Sequence, residues 1–138
     1  MKLLSFLFCD DIRQENNQKI MLIGVYDQGI VINSEAAFPI TLPMVCFFCR
    51  VKIEDGDKPV DSSEFKIFLD DTQVSSENLQ VVVKDVTQPL TLCAKLVPFQ
   101  LPKEGNLRFE IVFKSNNEVA STLRPDPIFV KKSVPALG

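Results

Sequence analysis

The chain contains no histidine and no tryptophan, and only one tyrosine among its 138 residues. Histidine is the side chain that most often serves as a general base and as the partner of a serine or cysteine nucleophile. The five glycines are scattered, so no glycine-rich phosphate-binding loop is present. Because this common catalytic machinery is missing, we expect a protein that is not an enzyme, has no catalytic residue and needs no cofactor.

The chain also lacks clustered basic residues and long apolar runs. Its net charge is −3, and the Lys and Arg residues are spread along the sequence. Nucleic-acid or membrane-surface binding would require clustered cations, so we expect neither partner. No run approaches the roughly 18 apolar residues that span a bilayer. The apolar stretch Met1–Cys9 carries the bulky Phe8 just before Cys9 and is followed at once by Asp10, which does not fit a cleaved leader. We therefore expect a cytoplasmic protein.

Four cysteines are present: Cys9, Cys46, Cys49 and Cys93. The spacing of Cys46 and Cys49 matches that of zinc and thiol-redox sites. On a strand, however, positions three apart point to opposite faces, so these two thiols should diverge and cannot chelate one ion. We expect buried free thiols, and we expect neither a metal site nor a disulfide.

The dominant hydrophobic period is two residues. Leu107–Lys114 places Leu, Phe and Ile on one face and mostly charged side chains on the other, as half-buried antiparallel strands do. Similar strands are predicted at Phe65–Asp70, Leu79–Lys84 and Leu90–Leu96. Two further strands are apolar on both faces over all or part of their length and are expected to be more central: Lys19–Tyr26 and Pro43–Glu54. Within the last of these, the expected inward set is Val45, Phe47, Cys49, Val51 and Ile53. With turn residues every eight to twelve positions, the pattern predicts an all-β, antiparallel β-sandwich of eight or nine strands, immunoglobulin-like or C2-like.

No boundary divides the chain, so we expect a single β-sandwich domain over residues 1–132 and a frayed tail over 133–138. The segment Asp70–Asn78 is the only gap with room for a short helical turn. The prolines of Pro98–Gly105 should prevent that corner from pairing. Ile128–Lys132 is predicted to be an edge strand that could add to the sheet of a partner.

A charged cluster lies between the first two predicted strands: Asp10, Asp11, Arg13 and Glu15. Asp11, Arg13 and Glu15 are two residues apart and would share one face of a strand, where they could form a charge-assisted network that pins the first hairpin. The same side chains could instead form a recognition site in which Arg13 binds a carboxylate or phosphate. An alternative function is therefore a small ligand-binding or hydrolytic domain that uses this cluster.

Calcium binding is a further alternative, because C2-like domains collect aspartates in loops at one end and Ca²⁺ takes several oxygen ligands. The available residues are Asp10, Asp11, Asp55, Asp57, Asp70 and Asp71. No calcium-loop motif is present, so solvated turns are the simpler interpretation and we assign no metal ligand.

Five phenylalanines fall where the alternation predicts outward or edge positions: Phe38, Phe48, Phe68, Phe99 and Phe129. Clustered, they would form an apolar patch larger than a soluble monomer normally exposes. The leading hypothesis is therefore a non-enzymatic protein-interaction module of unknown biological process, which binds a protein partner or forms a homo-oligomer.

The stretch Phe8–Glu15, followed by Lys19 and Leu22–Tyr26, resembles the N-terminal motif of a family of small bacterial proteins of unknown function. Pro39–Pro43 also resembles that family. The resemblance implies an uncharacterised β-sandwich protein and brings no activity, cofactor or catalytic residue with it. Gln18 stands where the family motif has glycine, which leaves the type of the first hairpin open.

Overall fold

The computed structural model describes residues 1–17 and 19–134, and these residues form twelve β-strands and no helix. The prediction of an all-β fold is confirmed, although the strands outnumber the eight or nine expected because several are only three or four residues long. The strands are β1 (Lys2–Gln14), β2 (Ile20–Val25), β3 (Gly29–Ile32), β4 (Ile40–Leu42), β5 (Val45–Lys52), β6 (Ser62–Leu69), β7 (Thr72–Gln80), β8 (Leu90–Leu96), β9 (Phe99–Leu101), β10 (Gly105–Ser115), β11 (Glu118–Leu123) and β12 (Ile128–Lys132).

The first sheet has the strand order β2-β1-β5-β8, and all its pairs are antiparallel. β1 and β2 form the predicted first hairpin, in which the Glu15 amide donates to the Lys19 carbonyl at 2.8 Å. Gln18 lies outside the described residues, so the hairpin type stays a prediction. β5 is one of the two inner strands of this sheet, and its second face is also packed, because Cys46 forms a small apolar cluster with Cys9 and Ile12 of β1. The prediction that Lys19–Tyr26 is a central strand is wrong, since β2 lies at the edge of the sheet.

The second sheet has the order β3-β12-β10-β6-β7, and β11 also pairs with β10. The prediction that Ile128–Lys132 is an edge strand is wrong. This strand, β12, lies between β10 and β3 and pairs with β3 in parallel. Alternation within one strand carries no information about how many neighbours it has, and the four-residue β3 forms the edge.

The segment Asp70–Asn78 contains no helical turn and instead forms most of β7. β7 pairs antiparallel with β6 over its whole length. Of the predicted strand Leu79–Lys84, only Leu79 and Gln80 lie in a strand, where they form the end of β7. Asp70 makes the tight reversal with a φ of 52°. As an edge strand, β7 is rich in polar side chains, so hydrophobic alternation does not mark it.

The Pro98–Gly105 corner does pair, contrary to the prediction. Within it, β9 forms a separate two-stranded antiparallel sheet with β4. Pro98 precedes the strand and Pro102 follows it, so neither proline removes an amide from the three-residue ladder.

Aromatic rings join the two large sheets in the main core. The Phe47 ring of β5 stacks on Phe65 of β6, with centroids 3.7 Å apart. From β1, Phe6 and Phe8 approach Phe109 of β10 at 4.8 Å and 5.4 Å. Large aromatic side chains bury more apolar area than other residues, so this cluster should dominate the stability of the fold.

The end of the described chain is tied to the second sheet, because the Ser133 amide donates to the Ile32 carbonyl at 2.7 Å. Residues 135–138 of the predicted tail lie outside the described residues. Of the residues described, none belongs to a helix of sufficient length and hydrophobicity to cross a membrane.

Asp70 links the β6–β7 turn to the start of β10. Its carboxylate accepts the Asn106 amide at 3.0 Å and pairs with the Lys103 ammonium at 3.2 Å, while its own amide donates to the Asn106 carbonyl at 2.8 Å. The Arg108 guanidinium donates to the Asp70 carbonyl at 2.9 Å. The Asn106 amide and then Lys103 hold the pKa of Asp70 below its ordinary value of 3.8.

The variant Asp70→Asn tests this link through pH. The amide oxygen can still accept the Asn106 N–H, but the charge that faces Lys103 is gone. A carboxyl group whose pKa is lowered by folding stabilises the native state above its unfolded pKa and loses that contribution as pH falls through the folded pKa. We therefore expect the wild type to be the more stable protein near neutral pH, and the gap in thermal midpoint to close below about pH 4. A difference in thermal midpoint that stays constant with pH would show that the charge of Asp70 is unimportant. Asp71→Asn, at the exposed neighbouring position, is the matched control.

Candidate functional site

The structure divides the charged cluster Asp10, Asp11, Arg13 and Glu15 between two sides of the first hairpin. The Asp10 carboxylate accepts a hydrogen bond from the Tyr26 hydroxyl. It also lies beside Gly24, where any side chain would collide with it and where φ is +67°. Glu15 is exposed at the end of the hairpin.

Asp11 is the centre of a small ion-pair network. Its carboxylate pairs with Lys95 at 3.2 Å and with Arg13 at 3.4 Å, and it accepts the Ile12 amide at 2.8 Å. The hydrogen bond from Lys95 is the largest of the influences that lower the pKa of Asp11. The network ties β1 to β8 across the sheet, and the predicted pairing of Asp11 with Arg13 is present. Lys95 was missed because it lies 84 positions away and no sequence pattern links the two.

The candidate calcium ligands lie in separate places. Asp57 accepts the Glu54 amide at 2.7 Å in the β5–β6 connection, whereas Asp70 and Asp71 lie in the β6–β7 turn. Within residues 1–17 and 19–134, no group of three or more Asp, Glu, Cys or His side chains is arranged to hold a metal ion.

The four cysteines are free thiols. Cys49 belongs to the main core, whereas Cys46 lies in a second apolar cluster with Cys9, so the predicted divergence of Cys46 and Cys49 is confirmed. Burial raises the pKa of Cys9 to about 11 and that of Cys49 to about 12, and it also raises the pKa of Cys46. Cys93 is exposed, so the prediction of buried thiols is wrong for this residue; on β8 its side chain lies on the outer face of the sheet's edge strand.

Thiol labelling should therefore be selective in the native protein. At about pH 8 we expect iodoacetamide to modify Cys93 rapidly and the other three cysteines only after unfolding, because the thiolate is the reactive species. Mass spectrometry of native and urea-unfolded samples measures this. The control variant Cys93→Ser should take up almost no label while folded. If Cys9 or Cys46 were labelled in the folded protein as fast as Cys93, the described packing would be contradicted.

The five phenylalanines do not form one patch. Phe99 was predicted to face outward and is instead buried, with its ring 6.0 Å from that of Phe8. The alternation misled at this position because β9 belongs to the small sheet, which packs its phenylalanine inward. Phe38, Phe48 and Phe68 are half-buried.

Cations cover two of the half-buried rings. The Lys132 ammonium lies 5.5 Å from the centroid of Phe38, and the Arg108 guanidinium lies 5.2 Å from that of Phe68. Such contacts are favourable and reduce the apolar area left for a partner. Phe129 remains, with 61% of its surface exposed.

Phe129 and Val31 form an exposed apolar pair at the β3 edge of the second sheet. Both are 61% exposed, while their strand neighbours Val130 and Ile30 point into the core. Gly29 lies opposite Phe129 in the parallel ladder. We call Val31, Pro127 and Phe129 the Phe129 surface. It lines an open groove of about 740 Å³, to which Asp27 and Lys131 also contribute.

A family model described as "Family of unknown function (DUF6941)" matches residues 4–124. The chain belongs to this family. The match runs from the third residue of β1 through β11 and therefore includes the charged cluster and Val31, while Phe129 lies beyond it. DUF6941 membership assigns no activity or binding residue. No curated protein matches the chain.

Proposed function

We propose that this protein is a non-enzymatic protein-interaction module, built as a β-sandwich of immunoglobulin-like or C2-like type, that acts in the cytoplasm. The sandwich is antiparallel except for the parallel pair of β3 and β12, which the sequence did not predict. The ring contacts between β1, β5, β6 and β10 support the sandwich assignment. Four free thiols fit a reducing compartment.

The Phe129 surface is the observation that carries the proposal. An exposed aromatic ring beside an exposed valine is costly to leave in water, and aromatic side chains are the usual anchors of protein interfaces. The charged Asp27 and Lys131 border the apolar residues, as the polar rim of an interface does.

The adjacent strand edge supports the same conclusion. The four-residue β3 ends the second sheet, and no strand in residues 1–17 and 19–134 pairs with its outer side, which leaves that side available to a further strand. Backbone hydrogen bonds to such an edge would add affinity to the contact made by Phe129. We propose no role in catalysis or calcium binding for the charged cluster, because Asp11 is engaged by Lys95 and Arg13.

Substitution at the Phe129 surface tests the proposal. We expect Phe129→Ser to weaken association, with a partner or with a second copy, by about 30-fold or more, as the loss of an interface anchor does. Sedimentation over a concentration series measures self-association, and quantitative affinity purification measures a partner. Val119→Ser, at an equally exposed position on β11, is the control and should bind normally. Association that is absent, or that is unaffected by Phe129→Ser, would refute the proposal.

A further inference from the structure

The first half of β1 has one open side. β5 pairs with β1 from Lys2 to Cys9, whereas β2 pairs with it only from Cys9 to Gln14. Within the part of the chain that the structure describes, no strand pairs with the other side of β1 from Lys2 to Leu7. β2 therefore ends before it reaches this part of β1, and no other strand of the described residues continues the pairing.

The direction of the free backbone groups follows from one hydrogen bond. The Tyr26 amide donates to the Phe8 carbonyl at 2.8 Å, so this carbonyl points away from β5. Alternate residues of a strand direct their N–H and C=O groups to the same side. The backbone groups of Phe6 therefore face the open side, where an added strand could pair with them.

A groove of about 270 Å³ runs along this open side, and we call it the β1 groove. Its second wall is the segment Pro125–Ile128. The two prolines of that segment have no N–H, so they cannot donate hydrogen bonds to β1 and close the gap. The lining combines apolar side chains of β1 with two carboxylates, Asp27 and Asp126, and contains no lysine or arginine.

We propose that the β1 groove receives an extended segment of the partner protein, which pairs with the Phe6 backbone and places a Lys or Arg side chain against Asp27 and Asp126. The volume lies below the roughly 300–1,000 Å³ of pockets for drug-sized ligands, whereas an unpaired strand edge is the feature that strand addition uses. Among the described residues, neither Asp27 nor Asp126 forms an ion pair, so the two carboxylates favour a cation by charge complementarity.

This inference rests on the proposed function, because the β1 groove and the Phe129 surface adjoin. Asp27 and Pro127 line both grooves. A partner strand that lies along β1 can therefore continue to Phe129, so that one partner uses the apolar anchor and the acidic groove together.

Titration of the ¹⁵N-labelled protein with two synthetic peptides tests the proposal. Both peptides alternate threonine and valine, and they differ in one central residue, lysine or glutamate. We expect the lysine peptide to shift the amide signals of Phe6 and Tyr26 saturably, to slow hydrogen exchange at Phe6, and to bind about tenfold more tightly than its glutamate twin. Equal affinity of the two peptides, or shifts confined to the edges β7 and β8, would overturn it.

Charge variants complete the test. Asp27→Asn combined with Asp126→Asn should weaken the lysine peptide about tenfold, whereas Glu118→Gln, which removes one charge at the far end of β11, should leave binding unchanged. If Phe6 exchange instead slows as the concentration of the free protein rises, a second copy fills the groove and the proposed occupant is wrong.

Failure of this inference is distinguishable from failure of the proposed function. Phe129→Ser should still bind the lysine peptide. A partner that depends on Phe129 but ignores the Asp27/Asp126 double variant would retain the proposed function and refute the groove. A protein that binds the lysine peptide but has no Phe129-dependent association would refute the proposed function.

Discussion

Phe47→Ala is expected to lower the free energy of unfolding by about 3–5 kcal/mol, as the removal of a fully buried phenylalanine does. Phe47 has no exposed surface; its ring stacks on that of Phe65 at 3.7 Å and lies 6.4 Å from that of Phe6. The substitution therefore removes the contact between the two large sheets at its centre. Since small proteins are stable by only about 5–15 kcal/mol, the variant should be close to unfolding at 25 °C.

Urea denaturation followed by circular dichroism measures the loss. Phe129→Ala is the matched control, because it removes the same ring from a position that is 61% exposed. We expect the control to change stability by about 0.5 kcal/mol or less. A loss below about 1 kcal/mol for Phe47→Ala would mean that the sheets are not held together as described.

Gly29→Ala is expected to destabilise the protein by about 1–3 kcal/mol, because the added methyl group would overlap backbone atoms. A Cβ at Gly29 would lie 2.5 Å from the Phe129 carbonyl oxygen. Backbone cannot turn aside as a flexible side chain can, so β3 must move away from β12. The substitution therefore also disturbs the arrangement of Val31 and Phe129.

Hydrogen exchange together with thermal unfolding checks this prediction. The amides of β3 and β12 should exchange faster in Gly29→Ala, while those of β5 and β8 should be protected as in the wild type. Val31→Ala, two residues along the same strand, should stay within about 0.5 kcal/mol of the wild type. Unchanged protection of β12 in Gly29→Ala would contradict the close approach of the two strands.

Local alternation was sufficient to predict the strands that have one buried face. Val45, Phe47, Cys49 and Val51 point into the core as expected, and the opposite orientation of Cys46 followed from the same period. Strands that bury few apolar side chains, such as β7, give no alternating signal. The position of β12 inside its sheet also escaped prediction, since pairing joins residues that are distant in sequence.

The candidate site was predictable to a smaller extent. The pairing of Asp11 with Arg13 needs only two positions on one strand, whereas the stronger contact with Lys95 depends on how β1 and β8 are brought together by β5. Phe129 was identified as exposed, but its companion Val31 was not, because a parallel pair between β3 and β12 leaves no local pattern. The open side of β1 arises because β5 pairs with Lys2–Cys9 whereas β2 pairs only with Cys9–Gln14. Nothing in the sequence shows where these two pairings begin and end.

Site-specific photo-crosslinking tests the central claim most directly. A photoreactive benzoylphenylalanine is placed at position 129 or, as the control, at position 119, and the protein is irradiated in the cells that produce it. Our account predicts one discrete adduct from position 129, with a partner protein or with a second copy, which disappears when Val31→Asp is added, and no such adduct from position 119. Equal adducts from both positions, or none from position 129, would contradict the assignment of the Phe129 surface as an interface.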